Sequence, residues 1–305
     1  MKRILILAVT LITYLSSSAK EKPMVKEVSG GLQSPESIAA CGKYLFVSNM
    51  GSKADPFAKD GDGYISQLWR KDGKMVEEKF ISGLNSPKGV KIIHGKLLVA
   101  DVDRIVAYNL KTRKKIWEAD LSKEGVTYAN DISIRGCGSI FVSATDKNAI
   151  YKVCRKGTVK QLIVKGDLQG ANGIYKGACG LYVANYGHGD KPDGSFGRIA
   201  LCSKKYKMYG SGGVYDGIQK VCGRIVVSDW VDRREGATGV KGRLLVHRPC
   251  KRITYEVETG KSLGGPSDIY RDCHTKTLWV PCMTDNKLVA VPFATIKKVG
   301  RQQVK

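Results

Sequence analysis

The stretch Tyr128-Ala129-Asn130-Asp131-Ile132-Ser133-Ile134 decides how this chain is read, because the chain keeps returning to it in altered form. Ser34-Pro35-Glu36-Ser37-Ile38 and Ser86-Pro87-Lys88-Gly89-Val90 stand before it. Ala171-Asn172-Gly173-Ile174, Tyr215-Asp216-Gly217-Ile218 and Pro266-Ser267-Asp268-Ile269 come after. Each copy sets a polar or turn residue two places ahead of an aliphatic one. A tight turn and a β-rich run then follow, such as the residues from Tyr44 to Ser48 or from Ser139 to Ser143. With Glu36, Lys88, Asn130, Asn172, Asp216 and Ser267 as equivalent points, the intervals are 52, 42, 42, 44 and 51 residues. A period of roughly 40–50 residues with several short strands per unit marks propeller blades. The expectation is an all-β, six-bladed β-propeller with four antiparallel strands per blade, one domain over residues 20–295. Each blade buries its apolar face only against its neighbours, so the repeat favours a single unit over two domains.

Residues 24–29 precede the first unit where a fourth strand precedes each later one, so they are expected to be the outer strand of the last blade and to close the ring. Long insertions follow the second strand in three units, at about 50–63, 186–197 and 230–242. They leave from the end that carries Glu36, Asn130, Asn172 and Asp216, and should wall a pocket there. Helical periodicity is nearly absent, and the basic tail 296–305 is expected to be frayed.

Residues 1–19 have the order of a cleaved export signal: Lys2-Arg3, an apolar run over 4–15, then Ser17-Ser18-Ala19. The apolar run is shorter than the ~20 residues a spanning helix needs. An uncleaved anchor is the rival reading. Export implies a periplasmic or secreted protein with no transmembrane segment, in an oxidising compartment where the nine cysteines point to disulfides. Cys41, Cys137, Cys179, Cys222 and Cys273 fall between first and second strands, and Cys154, Cys202 and Cys250 between third and fourth. Those turns share one end of a blade, so Cys137–Cys154, Cys179–Cys202 and Cys222–Cys250 are expected as staples. A Cys41–Cys273 closure bridge would then leave Cys282 as the odd thiol; reduced buried cysteines are the alternative.

The formal charge of +23 is spread through all six units without an aromatic-basic module for reading nucleic acid, which argues against a nucleic-acid partner. In an exported protein it fits contact with an anionic envelope polymer, or a merely solvated basic surface.

Residues that open the innermost strand of each blade point together at one mouth of the central channel. Two carboxylates (Glu36, Asp216) and two amides (Asn130, Asn172) converging there make an oxygen cage suited to Ca2+, with Mg2+, Mn2+ or Zn2+ as alternatives. A small-molecule substrate or ligand would bind at that mouth.

The motifs Pro35-Glu36, Asn130-Asp131-Ile132, Ala171-Asn172-Gly173-Ile174 and Asp216-Gly217 resemble the metal-site motifs of the SMP-30/gluconolactonase/regucalcin group and its paraoxonase relatives. The pattern covers all six units and the specific motifs four of them. The resemblance implies that Glu36, Asn130, Asn172 and Asp216 are metal ligands, that Asp216 is also the general base, and that Asp131 matches a second, structural calcium position. Lys88 stands where paraoxonase-like enzymes place a catalytic histidine, and Tyr128-Ala129 where sugar lactonases have an arginine before the Asn-Asp motif. The function implied is metal-dependent hydrolysis of a lactone or ester. The cation would polarise the carbonyl and a carboxylate, Asp216 first and Asp131 second, would take the proton of the attacking water. Lys88 would hold a substrate carboxylate or phosphate. The run from Leu97 to Ile105 also resembles NHL-type propeller repeats, which gives the alternative of a non-catalytic binding propeller with a structural calcium.

Overall fold

Six four-stranded antiparallel sheets follow one another along the chain. The structure, a computed structural model, describes residues 24–135, 138–154, 157–162, 164, 166–188, 191–230 and 241–299. Blade 1 runs Pro35–Cys41, Tyr44–Asn49, Gly63–Trp69 and Met75–Leu84. Blade 2 runs Pro87–Ile93, Lys96–Asp101, Arg104–Asn109 and Lys115–Asp120. Blade 3 runs Ala129–Arg135, Ser139–Ala144, Ala149–Val153 and Val159–Leu162. Blade 4 is Ala171–Gly177, Gly180–Asn185, Gly194–Ile199 and Tyr206–Gly213. Blade 5 is Tyr215–Val221, Arg224–Asp229, Lys241–Arg248 and Ile253–Glu256, with Leu263–Gly264 added beside its third strand. Blade 6 takes Tyr270–Asp272, Thr277–Cys282 and Lys287–Pro292, and its outer strand is Lys26–Ser29 from the start of the chain. The ring is therefore closed by the strand expected to close it, with Glu27 opposite Val289 and Val28 opposite Leu288.

The repeat has a packing reason. The aliphatic residue of each motif copy (Ile38, Val90, Ile132, Ile174, Ile218, Ile269) has no solvent exposure. Each lies in a separate apolar wedge between its own blade and the preceding one: Val90 packs with Phe46 and Ile65 of blade 1, and Ile132 with Leu98 and Ile105 of blade 2. Ile38 packs with Trp279 and Leu288 of blade 6, across the closure. Burying one such side chain is worth about 1.5–3 kcal/mol. No blade can do it alone, which is why the motif recurs once per unit.

In blades 1 to 5 the inner strand carries a β-bulge at the same place, so that two residues (36 and 37, 88 and 89, 130 and 131, 172 and 173, 216 and 217) oppose one on the second strand. A bulge disrupts the ladder and leaves an N–H to be satisfied. Three blades answer with a serine on the second strand: Ser48, Ser143 and Ser228 accept from the N–H of Ser37, Asp131 and Gly217 at 2.9, 2.9 and 2.7 Å.

Two expectations are corrected. No disulfide joins the described cysteines: Cys41, Cys154, Cys179, Cys202, Cys222, Cys250 and Cys273 are exposed free thiols, and Cys282 is buried and free. Cys137 lies outside the described residues. The turns do share one end of each blade, but a disulfide also needs Cα atoms 4.4–6.8 Å apart and Cβ vectors that face each other. A shared blade end does not supply that geometry; Cys222, for instance, sits at φ +49° in a two-residue turn that sets its Cβ direction independently of the ladder. The second correction concerns the tail. Its start is a helical turn, Phe293–Lys298, with Ile296 fully buried against blades 5 and 6. Arg224 holds it by donating to the carbonyls of Ile296, Lys297 (2.9 Å) and Val299 (3.2 Å), occupying C-terminal acceptors that a short helix leaves open. Residues 1–23, including the export signal, and 300–305 lie outside the described residues. Among the described residues no helix is long and apolar enough to cross a membrane.

Candidate functional site: a buried oxygen cage on the ring axis

In blades 1 to 5 the bulge sets two consecutive residues side by side, in blade 6 Ser267 and Asp268 stand just before the inner strand, and these pairs build two stacked layers. The upper layer holds Glu36, Lys88, Asn130, Asn172, Asp216 and Ser267, none more than 4% exposed. Glu36 feels the charges of Asp216, Asp268, Asp131 and Lys88, carried by blades 5, 6, 3 and 2. Burial holds Glu36 well above the usual carboxylate range; Asp216, Asp268 and Asp131 push it further and Lys88 pulls it back. Glu36 Oε2, Asn130 Oδ1 and Asn172 Oδ1 are buried with no hydrogen-bond partner among the described residues. A buried acceptor left unmade costs about 1–3 kcal/mol, so three on one axis require an explanation. Asp216 Oδ2 accepts from the indole N–H of Trp230 at 3.1 Å. Lys88 Nζ donates to the carbonyls of Pro56 (2.7 Å) and Ser86 (2.9 Å), lies 5.0 Å from the Tyr128 ring centre, and is pulled down to about 8 by burial.

The second layer is Ser37, Gly89, Asp131, Gly173, Gly217 and Asp268. Here neighbouring blades touch. A Cβ on Gly173 would stand 2.2 Å from the Asp216 carbonyl oxygen, and one on Gly217 2.5 Å from Ile269 N. That contact explains the Asn-Gly and Asp-Gly pairs better than turn propensity does. Where the layer is not glycine, the side chain stitches blades together. Ser37 Oγ donates to Asp268 Oδ2 at 2.6 Å and accepts from Val90 N at 3.2 Å. Asp131 accepts from its neighbour Ile132 N (2.6 Å) and, across the blade gap, from Ile174 N (2.8 Å). Lys91, from the inner strand of blade 2, crosses the axis and joins Asp131 Oδ1 (3.0 Å) to Asp268 Oδ2 (3.3 Å), carboxylates of opposite blades. Burial would lower Lys91, but the two carboxylates outweigh it and keep it above the usual lysine range. Two acids share that one ammonium, so burial and the Asp268 charge still push Asp131 up to about 7.

Sequence reasoning named Glu36, Lys88, Asn130, Asn172 and Asp216, which the structure buries at equivalent bulge positions, and it missed Lys91 and Asp268. A lysine in the middle of an otherwise buried inner strand was the available signal for Lys91. The insertions form a cover: Phe57 packs edge-to-face on Tyr128 (5.2 Å) and Tyr186 on Trp230 (6.4 Å). Residues 231–240 of the third insertion lie outside the described residues. Asp101 and Asp229, at the ends of second strands, cap the inter-blade turns by accepting from Ser86 N (2.9 Å) and Val214 N (3.0 Å).

No group of three or more His, Cys, Asp and Glu is arranged to hold a metal among the described residues. The cage instead pairs two carboxylates with two amides, an all-oxygen donor set of the kind that suits a hard cation. Its orphaned oxygens fit such an ion.

These features place the chain in the class of six-bladed β-propellers, and solved structures agree. It is similar to hydrazine synthase from Kuenenia stuttgartiensis (14% identity, TM-score 0.62, covering 88% of this chain and 80% of that one). Virginiamycin B lyase from Staphylococcus aureus is also similar (16% identity, TM-score 0.56, 87% and 98%). So is a chain of the nidogen/laminin complex (15% identity, TM-score 0.59, 80% and 90%). At these identities the likeness establishes the fold. No protein-family model and no curated protein matches the sequence.

Proposed function

We propose that the chain is an exported, divalent-cation-dependent hydrolase of a lactone or ester, with its centre in the upper layer of the channel. The observation that carries this is the set of buried acceptors without partners, on Glu36, Asn130 and Asn172, beside Asp216. These four residues would hold the cation, Ca2+ by the chemistry of the donors. When bound it supplies charge that polarises the substrate carbonyl and stabilises the oxyanion. Asp216 is the general base: water adds to the carbonyl carbon, its proton passes to a carboxylate oxygen of Asp216, and the alkoxide leaving group takes a proton back. Trp230 holds the Asp216 carboxylate in position through Oδ2. Asp131 is committed to Lys91 and two backbone N–H groups, so it does not compete for that proton. Lys88, pulled down to about 8, meets an anionic group of the substrate in exchange for the Pro56 carbonyl. The sequence resemblance to the SMP-30/gluconolactonase group supports the same assignment.

Elemental analysis of the purified protein, followed by a lactone and ester panel on wild type and Asp216→Ala, tests this. The expected result is one divalent cation per chain and a loss of about 100- to 10,000-fold in hydrolysis for the variant. Protein without bound cation, or equal turnover by both forms, would refute it. A second reading has its own observation: no upper-layer residue is more than 4% exposed. A tightly held cation with no turnover of any panel member would make the chain a binding propeller with a structural ion.

A further inference from the structure

The channel has a second mouth, on the face opposite the cage. The residues after the buried aliphatic of each motif copy line a cavity of about 300 Å3 to which all six inner strands contribute. Its walls carry Lys91, Lys176 and Arg271 and no carboxylate. Asp131 and Asp268, further up the axis, are bound to Lys91, and Asp272, next to Arg271 in sequence, is bound to Arg70. Among the described residues Lys176 and Arg271 have no acidic partner: Lys176 Nζ donates to the Gly177 carbonyl, and Arg271 donates to the Lys220 carbonyl at 2.8 Å with its guanidinium 5.9 Å from the Tyr175 ring. Gln219 lines the same cavity, where its side-chain amide can offer both a donor and an acceptor to a ligand. Tyr175 and Tyr270 add ring surface on the wall.

We propose that this mouth is a binding site for a small organic anion. Its carboxylate or phosphate is met by Lys176 and Arg271, Gln219 supplies a polar contact, and its carbon skeleton lies against the two tyrosines. Arginine suits the role because its planar fork matches oxyanion geometry, and two unpaired cations in a concave wall concentrate anions there. The site is independent of the cage and of any reaction there.

Calorimetric titration of the full chain with inorganic phosphate, citrate and 4-hydroxybenzoate tests the proposal, in low salt and at 0.5 M NaCl. Saturable one-to-one binding of at least one probe is expected, weakened tenfold or more by Arg271→Ala and by Lys176→Ala and reduced by Gln219→Leu. The exposed-lysine control Lys111→Ala and the cage variant Asp216→Ala should bind as wild type does. Arg271→Lys, which keeps the charge but not the fork, should fall between. Tighter binding of citrate or 4-hydroxybenzoate than of phosphate supports a carboxylate ligand, and the reverse a phosphate. No saturable binding of any probe at 10 mM overturns the proposal. So does binding indifferent to both Arg271→Ala and Lys176→Ala, which would place the anion on the general basic surface.

Discussion

The upper and second layers of the channel are built by consecutive residues of the same five bulges, yet they have opposite fates. In the second layer every non-glycine side chain bridges to another blade: Ser37 to Asp268, Asp131 to Ile174 and Lys91. In the layer above, one residue earlier in sequence, Glu36, Asn130 and Asn172 present acceptors without a hydrogen-bond partner among the described residues, whereas in the second layer Asp268 Oδ1 alone is left so. Each such atom costs about 1–3 kcal/mol if nothing meets it. One layer ties blades to one another, and the other concentrates unmet acceptors on the axis.

Substitutions that treat the two layers alike should give unlike results. The largest effect is expected from Asp131→Ala, which leaves Lys91 with Asp268 alone and unpairs the N–H groups of Ile132 and Ile174; chemical denaturation should show a loss of about 3 kcal/mol or more, at about 1–3 kcal/mol for each stranded N–H. A loss below about 1 kcal/mol would mean that the second layer does not hold the blades together. Gly173→Ala comes next, since its Cβ would stand 2.2 Å from the Asp216 carbonyl; overpacking of this kind costs about 1–3 kcal/mol. The bidentate contact of Arg70 with Asp272, at 2.7 and 2.6 Å, supplies a smaller, pH-dependent effect at the end of the blade 6 inner strand. Burial alone would raise Asp272, but Arg70, Thr275 and His274 outweigh it and hold the carboxyl below the usual range. Its stabilisation is therefore complete above the unfolded-state value of about 3.9 and fades as pH falls through the folded one. Asp272→Asn should flatten the acid limb of a stability-versus-pH curve, and an unchanged limb would rule the pair out as its source. The smallest stability effect is expected from Asn172→Ala in metal-free protein, about 1 kcal/mol or less, because its side-chain oxygen is already unpaired. The same variant should weaken cation binding at least tenfold by isothermal titration. Equal affinity would remove Asn172 from the cage.

Much of this was legible in the chain. The period, the four-strand units, the outer strand from residues 26–29 and the identity of the upper layer all follow from a motif repeated at fixed phase, since equivalent positions in a ring must face the same axis. The tail was misread because its few apolar residues carry no helical period; the fold fixes it through Arg224, which is distant in sequence. The cysteines were misread for a related reason. Their turns were placed on the correct end of each blade, but pairing depends on Cβ directions that no spacing encodes.

By itself the sequence determined that six units form, which residue of each opens the inner strand, and that glycine or a short polar group must follow it. The recurrence is local, and local hydrophobic pattern is what primary structure records directly. Only the tertiary structure decided that Lys91 reaches carboxylates of two opposite blades, that Trp230 donates to Asp216, and that the far mouth gathers Lys176, Arg271 and Gln219. Those contacts join residues tens to hundreds of positions apart, and long side chains settle on partners only once closure of the ring has fixed where the axis lies.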